Sequence, residues 1–181
     1  MGLDIYAASH LQYVRPIPEG DEFDRLQQEA LSQDKCLSEL CFLLDANDGP
    51  WADRLGGMVP GLYEYTPATR QHEFRVGSCS VYNEWRERLS RYALDAEPDQ
   101  VWDEPGQYSG KPFVELVNFT DCDGRIAGRV AAKLAADFRD HADSFKRFVA
   151  REPDADWCVH IYDEFAAAFE LASQEGAFQF C

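Results

Sequence analysis

Ile126, Val130, Leu134, Phe138, Ala142, Phe145 and Val149 recur at steps of three and four residues, with Arg125, Arg129, Lys133, Asp137 and Asp140 falling between them. This spacing predicts one long amphipathic helix, and its apolar stripe must be covered by other parts of the chain. Directly before it stand an apolar run, Pro112-Phe113-Val114-Glu115-Leu116-Val117, and a polar corner, Asn118-Phe119-Thr120-Asp121-Cys122-Asp123-Gly124. Residues 113–117 are apolar on both alternations apart from Glu115, which predicts a central strand covered on both faces. Thr120 or Asp121 then caps the long helix. A strand, a polar corner and a helix start in one place make the corner a candidate site.

The remaining elements follow from period and punctuation. Leu3, Ile5 and Ala7 alternate with Asp4 and Tyr6, which predicts a strand near the start. Phe23, Leu26, Ala30, Leu37, Cys41 and Leu44 predict one helix or two between the Pro16–Gly20 break and Asn47-Asp48-Gly49-Pro50. Residues 50–61 read as loop, with Trp51 folded back onto the core. Residues 61–66 and 72–76 read as two strands joined by a turn around Pro67, the arms of a hairpin. Val81, Trp85 and Leu89 form the stripe of a helix entered through Gly77-Ser78-Cys79-Ser80. Residues 95–111 form a long connection, suited to a lid, a partner contact or a plain surface loop. A last helix spans residues 157–173, and Phe178-Gln179-Phe180 alternates like a closing strand.

At 181 residues the chain suits one domain, and the pattern predicts an α+β or α/β fold, with a mixed sheet of about five short strands flanked by three or four helices. With 33 acidic against 17 basic residues the formal net charge is −16. A nucleic-acid partner is therefore not expected, because a polyanion would be repelled. No run of residues reaches the length of a membrane span, so no membrane partner is expected either. Six dispersed cysteines without a C-x-x-C pair, and no apolar leader, point to free thiols in a reducing cytoplasm.

Two constellations are candidates for ligand binding. Arg75, Ser78, Ser80, Tyr82, Asn83 and Arg86 surround a turn that enters a helix, where free N–H groups and a guanidinium could orient an anion. The same serines also suit ordinary capping. Cys79, in this turn, would need His141 or His160 as a base, and its surroundings match no cysteine-protease signature. Glu115, Asn118, Asp121 and Asp123 form the second constellation, able to hold a hard cation or supply a base. Aligned to a calcium loop, however, Phe119 and Val130 occupy ligand positions, so that motif is excluded. His160, Asp163 and Glu164 share a helix face but lie opposite Ile161 and Phe165, as a solvated face would. No metal or other cofactor is expected.

The opening Met1-Gly2-Leu3-Asp4-Ile5-Tyr6, the segment from Phe74 through Gly77-Ser78-Cys79-Ser80-Val81-Tyr82-Asn83-Glu84-Trp85-Arg86, and the 112–124 segment together resemble a group of uncharacterised bacterial proteins of similar length. In that group the middle motif more often reads Gly-Ser-Tyr-Ser-Gly-Tyr followed by Trp-Arg, so Cys79 and Val81 depart from it. The resemblance implies a cytoplasmic single domain and no particular reaction. The expectation is a non-catalytic binding or interaction protein, for a small molecule or a protein, with a polar pocket between residues 78–86 and 115–124. A small hydrolase or transferase using that pocket, and an acidic decoy for a basic partner, are the alternatives.

Overall fold

β1 (Leu3–Ala8) places Leu3, Ile5 and Ala7 on one face and Asp4, Tyr6 and Ala8 on the other, and the whole molecule is layered around that alternation. The computed structural model describes residues 2–120 and 123–180. β1 lies between β5 (Gln71–Gly77) and β7 (Ala177–Phe180), and β6 (Gly124–Ala127) completes a four-stranded sheet in the order β5-β1-β7-β6. β4 (Gly61–Tyr65) lies between β2 (Leu11–Arg15) and β3 (Cys41–Leu44) in a second, three-stranded sheet. The fold is α+β. Every strand pairing among the described residues is antiparallel, so the strands divide between two antiparallel sheets and do not form a single mixed one.

The long helices are α1 (Asp21–Ser32), α3 (Cys79–Leu94), α6 (Gly128–Val149) and α7 (Ala155–Ala172). Single turns form α2 (Leu37–Leu40), α4 (Pro98–Asp103) and α5 (Val114–Val117). α3, α6 and α7 cover the inner face of the four-stranded sheet, where Leu3, Ile5, Val76, Ile126, Phe178 and Phe180 meet Trp85, Leu134, Phe138 and Phe165. The second sheet lies against the outer face. There Ala8, Ala127 and Ala177 pack with Phe42, Leu44 and Tyr63.

Residues 61–66 and 72–76 do form strands, but they do not make a hairpin, because each belongs to a different sheet. The β1/β5 pair continues past a corner as the β2/β4 pair. On the inside of this bend Ser9 and His10 suffice, while the outside takes residues 66–70. Ser9 is fully buried, its N–H donates to the Arg70 carbonyl at 2.9 Å, and its hydroxyl accepts the Arg70 N–H at 3.0 Å. Thr66 and Thr69 both donate to the His10 carbonyl at 3.2 Å. Strands that change sheet at such corners are how stacked sheets share one ribbon.

Two short apolar runs take the opposite form from the predicted one. Residues 41–44 continue the helical spacing of Leu37 but form β3, where Phe42 and Leu43 pair with Tyr63 and Leu62. Phe113 adopts a left-handed conformation, and Val114–Val117 is a helical turn, not a central strand. Runs this short carry no decisive period, so neighbours choose their form. β6 also intervenes before the long helix, whose cap position is Ala127. Thr120 therefore does not cap it, and Asp121 lies outside the described residues. The 95–111 connection is folded too: it carries α4 and a 3-10 turn over Pro105–Tyr108, with Val101 fully buried.

Candidate functional site: the cleft between the two sheets

The residues singled out in the sequence are brought near one another, but mostly to hold the fold. Ser78 caps α3, accepting the Val81 N–H at 3.3 Å, and its hydroxyl lies 2.7 Å from that of Ser80. Tyr82 is fully buried against Trp85, Phe165 and Phe180. Arg86, only 2% exposed, donates to the Phe119 carbonyl at 2.6 Å and to Asn83 Oδ1 at 2.6 Å. Trp102 and Tyr82 rings flank its guanidinium at 4.9 and 5.2 Å.

Arg86 is one of three side chains that close the polar corner. Arg54 Nε donates to the Glu115 carbonyl at 3.1 Å, and another of its nitrogens donates to the Asn118 carbonyl at 3.0 Å. Trp102 Nε1 donates to the Val117 carbonyl at 3.0 Å. These carbonyls are the groups that a helical turn leaves without intrahelical partners at its end. Trp51, folded back as expected, meets the Phe119 ring edge-on at 5.9 Å.

The other candidates are dispersed. The Glu115 carboxylate turns to Lys133 at 2.5 Å, and Asp123 is exposed beside Arg125 at 3.3 Å. Arg75 is exposed beside Asp4 at 3.6 Å. A groove does adjoin Ser80, Asn83 and Arg86, but its far wall is Glu97, Pro98, Asp99 and Trp102 of the α4 region. Glu115, Asn118 and Asp123 do not line it. Among the described residues the two motifs meet through a clamp of donors on carbonyls. His160 and Glu164 are 3.8 Å apart, and Glu164 also meets His72 at 2.8 Å. Among the described residues no group of three or more His, Cys, Asp or Glu could hold a metal ion.

A different place combines concavity with a row of polar side chains. On the outer face of the four-stranded sheet the register aligns two cross-strand rows. The first runs Gln71, Ala8, Ala177, Ala127, and its small side chains let the second sheet approach closely. The next row runs Glu73, Tyr6, Gln179, Arg125, and over it the two sheets diverge. The result is a half-open cleft of about 480 Å³, roofed by Ser38, Glu39, Cys41, Phe42 and Tyr65. A broader trough, about 1010 Å³, runs between the free side of β2 and Gly56, Gly57 and Arg129. It is open along its length, whereas the cleft is enclosed by two sheets and brings polar groups from four strands together, as ligand sites do.

The cleft is anchored at one end and in its middle. At one end Asn47 pairs with both backbone groups of Arg125, at 2.7 and 2.8 Å, like one more strand residue at the sheet edge. The Arg125 guanidinium meets Asp45 at 2.9 Å and Asp123 at 3.3 Å. In the middle, Tyr65 donates its hydroxyl proton to the Ser38 carbonyl at 2.7 Å, while its oxygen lies 3.0 Å from that of Tyr6. Burial, followed by the hydrogen bond shared with Tyr6, pushes the Tyr65 phenol well above its ordinary value of 10.0.

The thiol in the cleft is not an activated nucleophile. Cys41 is 7% exposed, donates to the Leu37 carbonyl, and burial raises its pKa above 9.0. Cys158 in the core is pushed from 9.0 up to about 11, first by burial and then by nearby Asp154. Cys36 is exposed. We expect a thiol reagent near neutral pH to label Cys36 at least about 100-fold faster than Cys41 or Cys158, since thiolate fraction and access set the rate. Peptide mapping by mass spectrometry checks this; comparable labelling of Cys41 would show its surroundings to be wrongly read.

The sequence signal for the cleft is the alternation itself, with Asp4 and Tyr6, Glu73 and Arg75, and Gln179 all on the non-core side of their strands. No helix among the described residues is long and apolar enough to cross a membrane. No family model, curated protein or solved structure matches this chain, so the functional reading rests on the geometry of the cleft.

Proposed function

We propose that this is a non-catalytic binding protein whose ligand sits in the cleft between the two sheets. The observation that carries the reading is the row Glu73, Tyr6, Gln179 and Arg125, held at strand spacing beneath a roof from a second sheet. Rigid sheets preorganise polar groups without loop ordering, which favours selective binding of a small molecule. Binding rather than catalysis is favoured because Cys41 and Tyr65, the cleft's potential nucleophile and base, are both held in their protonated forms.

The test is a thermal-shift screen of small polar compounds against the full chain and against Gln179→Trp, which places an indole in the middle of the row. A compound at about 100 times its Kd adds about 2.7 kcal/mol of stability. For a chain of this size that raises the midpoint by roughly 5–10 °C. We expect such shifts for the wild-type chain and their loss in Gln179→Trp. Ligands that bind equally well to both chains would place the site elsewhere and overturn the proposal.

A further inference from the structure

β5, with 7 residues, is the longest strand among the described residues and stands at the edge of the four-stranded sheet. Because the Ser9 N–H bonds the Arg70 carbonyl, the β1/β5 ladder bonds through the pairs Ser9 with Arg70, Ala7 with His72 and Ile5 with Phe74. The alternate residues, Gln71, Glu73 and Arg75, turn their backbone N–H and C=O groups away from β1. Among the described residues nothing bonds those groups. The opposite edge of the same sheet is closed, since Asn47 takes both backbone groups of Arg125 on β6. In the second sheet the Leu11 N–H of β2 goes to the Glu175 carbonyl, and a bulge interrupts that strand between Tyr13 and Arg15. Such devices keep sheet edges from joining. The bulge in β5 comes only at its far end, opposite Leu3.

We propose that β5 pairs antiparallel with β5 of a second copy of this chain about a two-fold axis through Phe74, joining the two four-stranded sheets into one. The strand is self-complementary in that register. Glu73 lies opposite Arg75 of the second copy and Arg75 opposite its Glu73, each pair exchanging both backbone hydrogen bonds through the groups left open. Opposite charges thus face each other across the outer face. On the inner face Phe74 meets its counterpart at the axis, in the non-hydrogen-bonded position where side chains come closest. Within one chain Phe74 is only half-buried, edge-on to Phe165 at 5.2 Å, so pairing removes more aromatic surface from water. Moving the axis one residue either way sets Glu73 against Glu73 or Arg75 against Arg75, which like charge disfavours. Arg75 is free to serve: its contact with Asp4 is long, 3.6 Å, and both side chains are exposed. The net charge of −16 on each chain opposes association. At physiological salt, however, the screening length is about 8 Å, so cross-strand partners about 5 Å apart outweigh distant carboxylates. The pairing does not depend on what the cleft holds.

Sedimentation velocity over a concentration series tests this on the full chain. We expect the wild type to pass reversibly from one copy to two as concentration rises, and the Glu73 and Arg75 amides to slow in hydrogen exchange as it does. Glu73→Arg and Arg75→Glu each set like charges across the strands at two symmetry-related places, and each should weaken the dimer about tenfold. The doubly substituted chain, Glu73→Arg with Arg75→Glu, exchanges the charges and should restore it. Both positions are exposed, so these changes do not threaten folding. General repulsion makes the opposite forecast, because Glu73→Arg leaves each chain two units less negative and Arg75→Glu two units more negative. A dimer strengthened by the first and weakened by the second would overturn the proposal. So would a chain that stays single at every concentration, a dimer indifferent to both single changes, a double variant that fails to recover, or a dimer whose Glu73 and Arg75 amides exchange as fast as before.

Discussion

Phe165→Ala is expected to lower the unfolding free energy by about 4 kcal/mol, the upper range for truncating a fully buried aromatic residue. Phe165 is 0% exposed and sits where helices and sheet meet. Its ring stacks on Trp85 at 4.7 Å and 8° and meets Phe74 edge-on at 5.2 Å, with Tyr82 and Phe178 each at 5.8 Å. Phe138 and Phe169 lie just beyond, at 6.3 Å. Those rings come from β5, α3, α6, α7 and β7, so no single element can shift to fill the void. Incomplete collapse is what moves a truncation to the costly end of its range. Urea denaturation at fixed pH checks the value, and the thermal midpoint should fall by roughly 8–16 °C. Phe148→Ala, at a ring 46% exposed on α6, should change stability by less than about 0.5 kcal/mol. A Phe165 loss below about 2 kcal/mol would mean that the aromatic cluster repacks.

Arg86→Ala is the second large effect, expected to cost about 3 kcal/mol. Two opposing terms decide it. Burying a guanidinium carries a desolvation cost of several kcal/mol, which removal of the side chain would relieve. Against this, truncation orphans the buried Phe119 carbonyl, at about 1–3 kcal/mol when water cannot reach it, and opens a cavity between Tyr82 and Trp102. The contacts already made by the guanidinium offset much of its desolvation, so the orphaned carbonyl and the cavity win. Arg86→Leu separates the contributions, because it fills most of the volume but donates nothing. We expect it to lose about 2 kcal/mol; a Leu variant as stable as wild type would show that Arg86 acts as packing and not as a clamp on the corner.

The clamp gives the described part of the corner a role in holding the fold. Its carboxylates, amide and backbone oxygens are conspicuous in the sequence, but the donors that occupy its carbonyls are Arg54, Arg86 and Trp102, from distant parts of the chain. Helical residues such as Ile126 to Val149 announce themselves because their period is local, and α6 and α7 are where the stripe places them. Ser78 was legible as a cap for the same reason. Short apolar runs such as residues 41–44 and 114–117 lack a period, so pairing with β4 in one case and enclosure by the corner's donors in the other set their form.

The cleft row was legible only in part. Each strand shows its polar alternation, but a polar face ordinarily reads as solvent-facing, and nothing local to residues 4–6, 73, 125 or 179 says that a second sheet will roof it. That depends on the bend at Ser9 and His10 and on three alanines falling in one cross-strand row. Local periodicity and composition were enough for an α+β chain with two long amphipathic helices, an N-terminal strand and an acidic surface, because those properties are set by near neighbours. Which polar groups became structural and which line a cavity was decided by strand register and sheet stacking, since both depend on contacts between residues far apart along the chain.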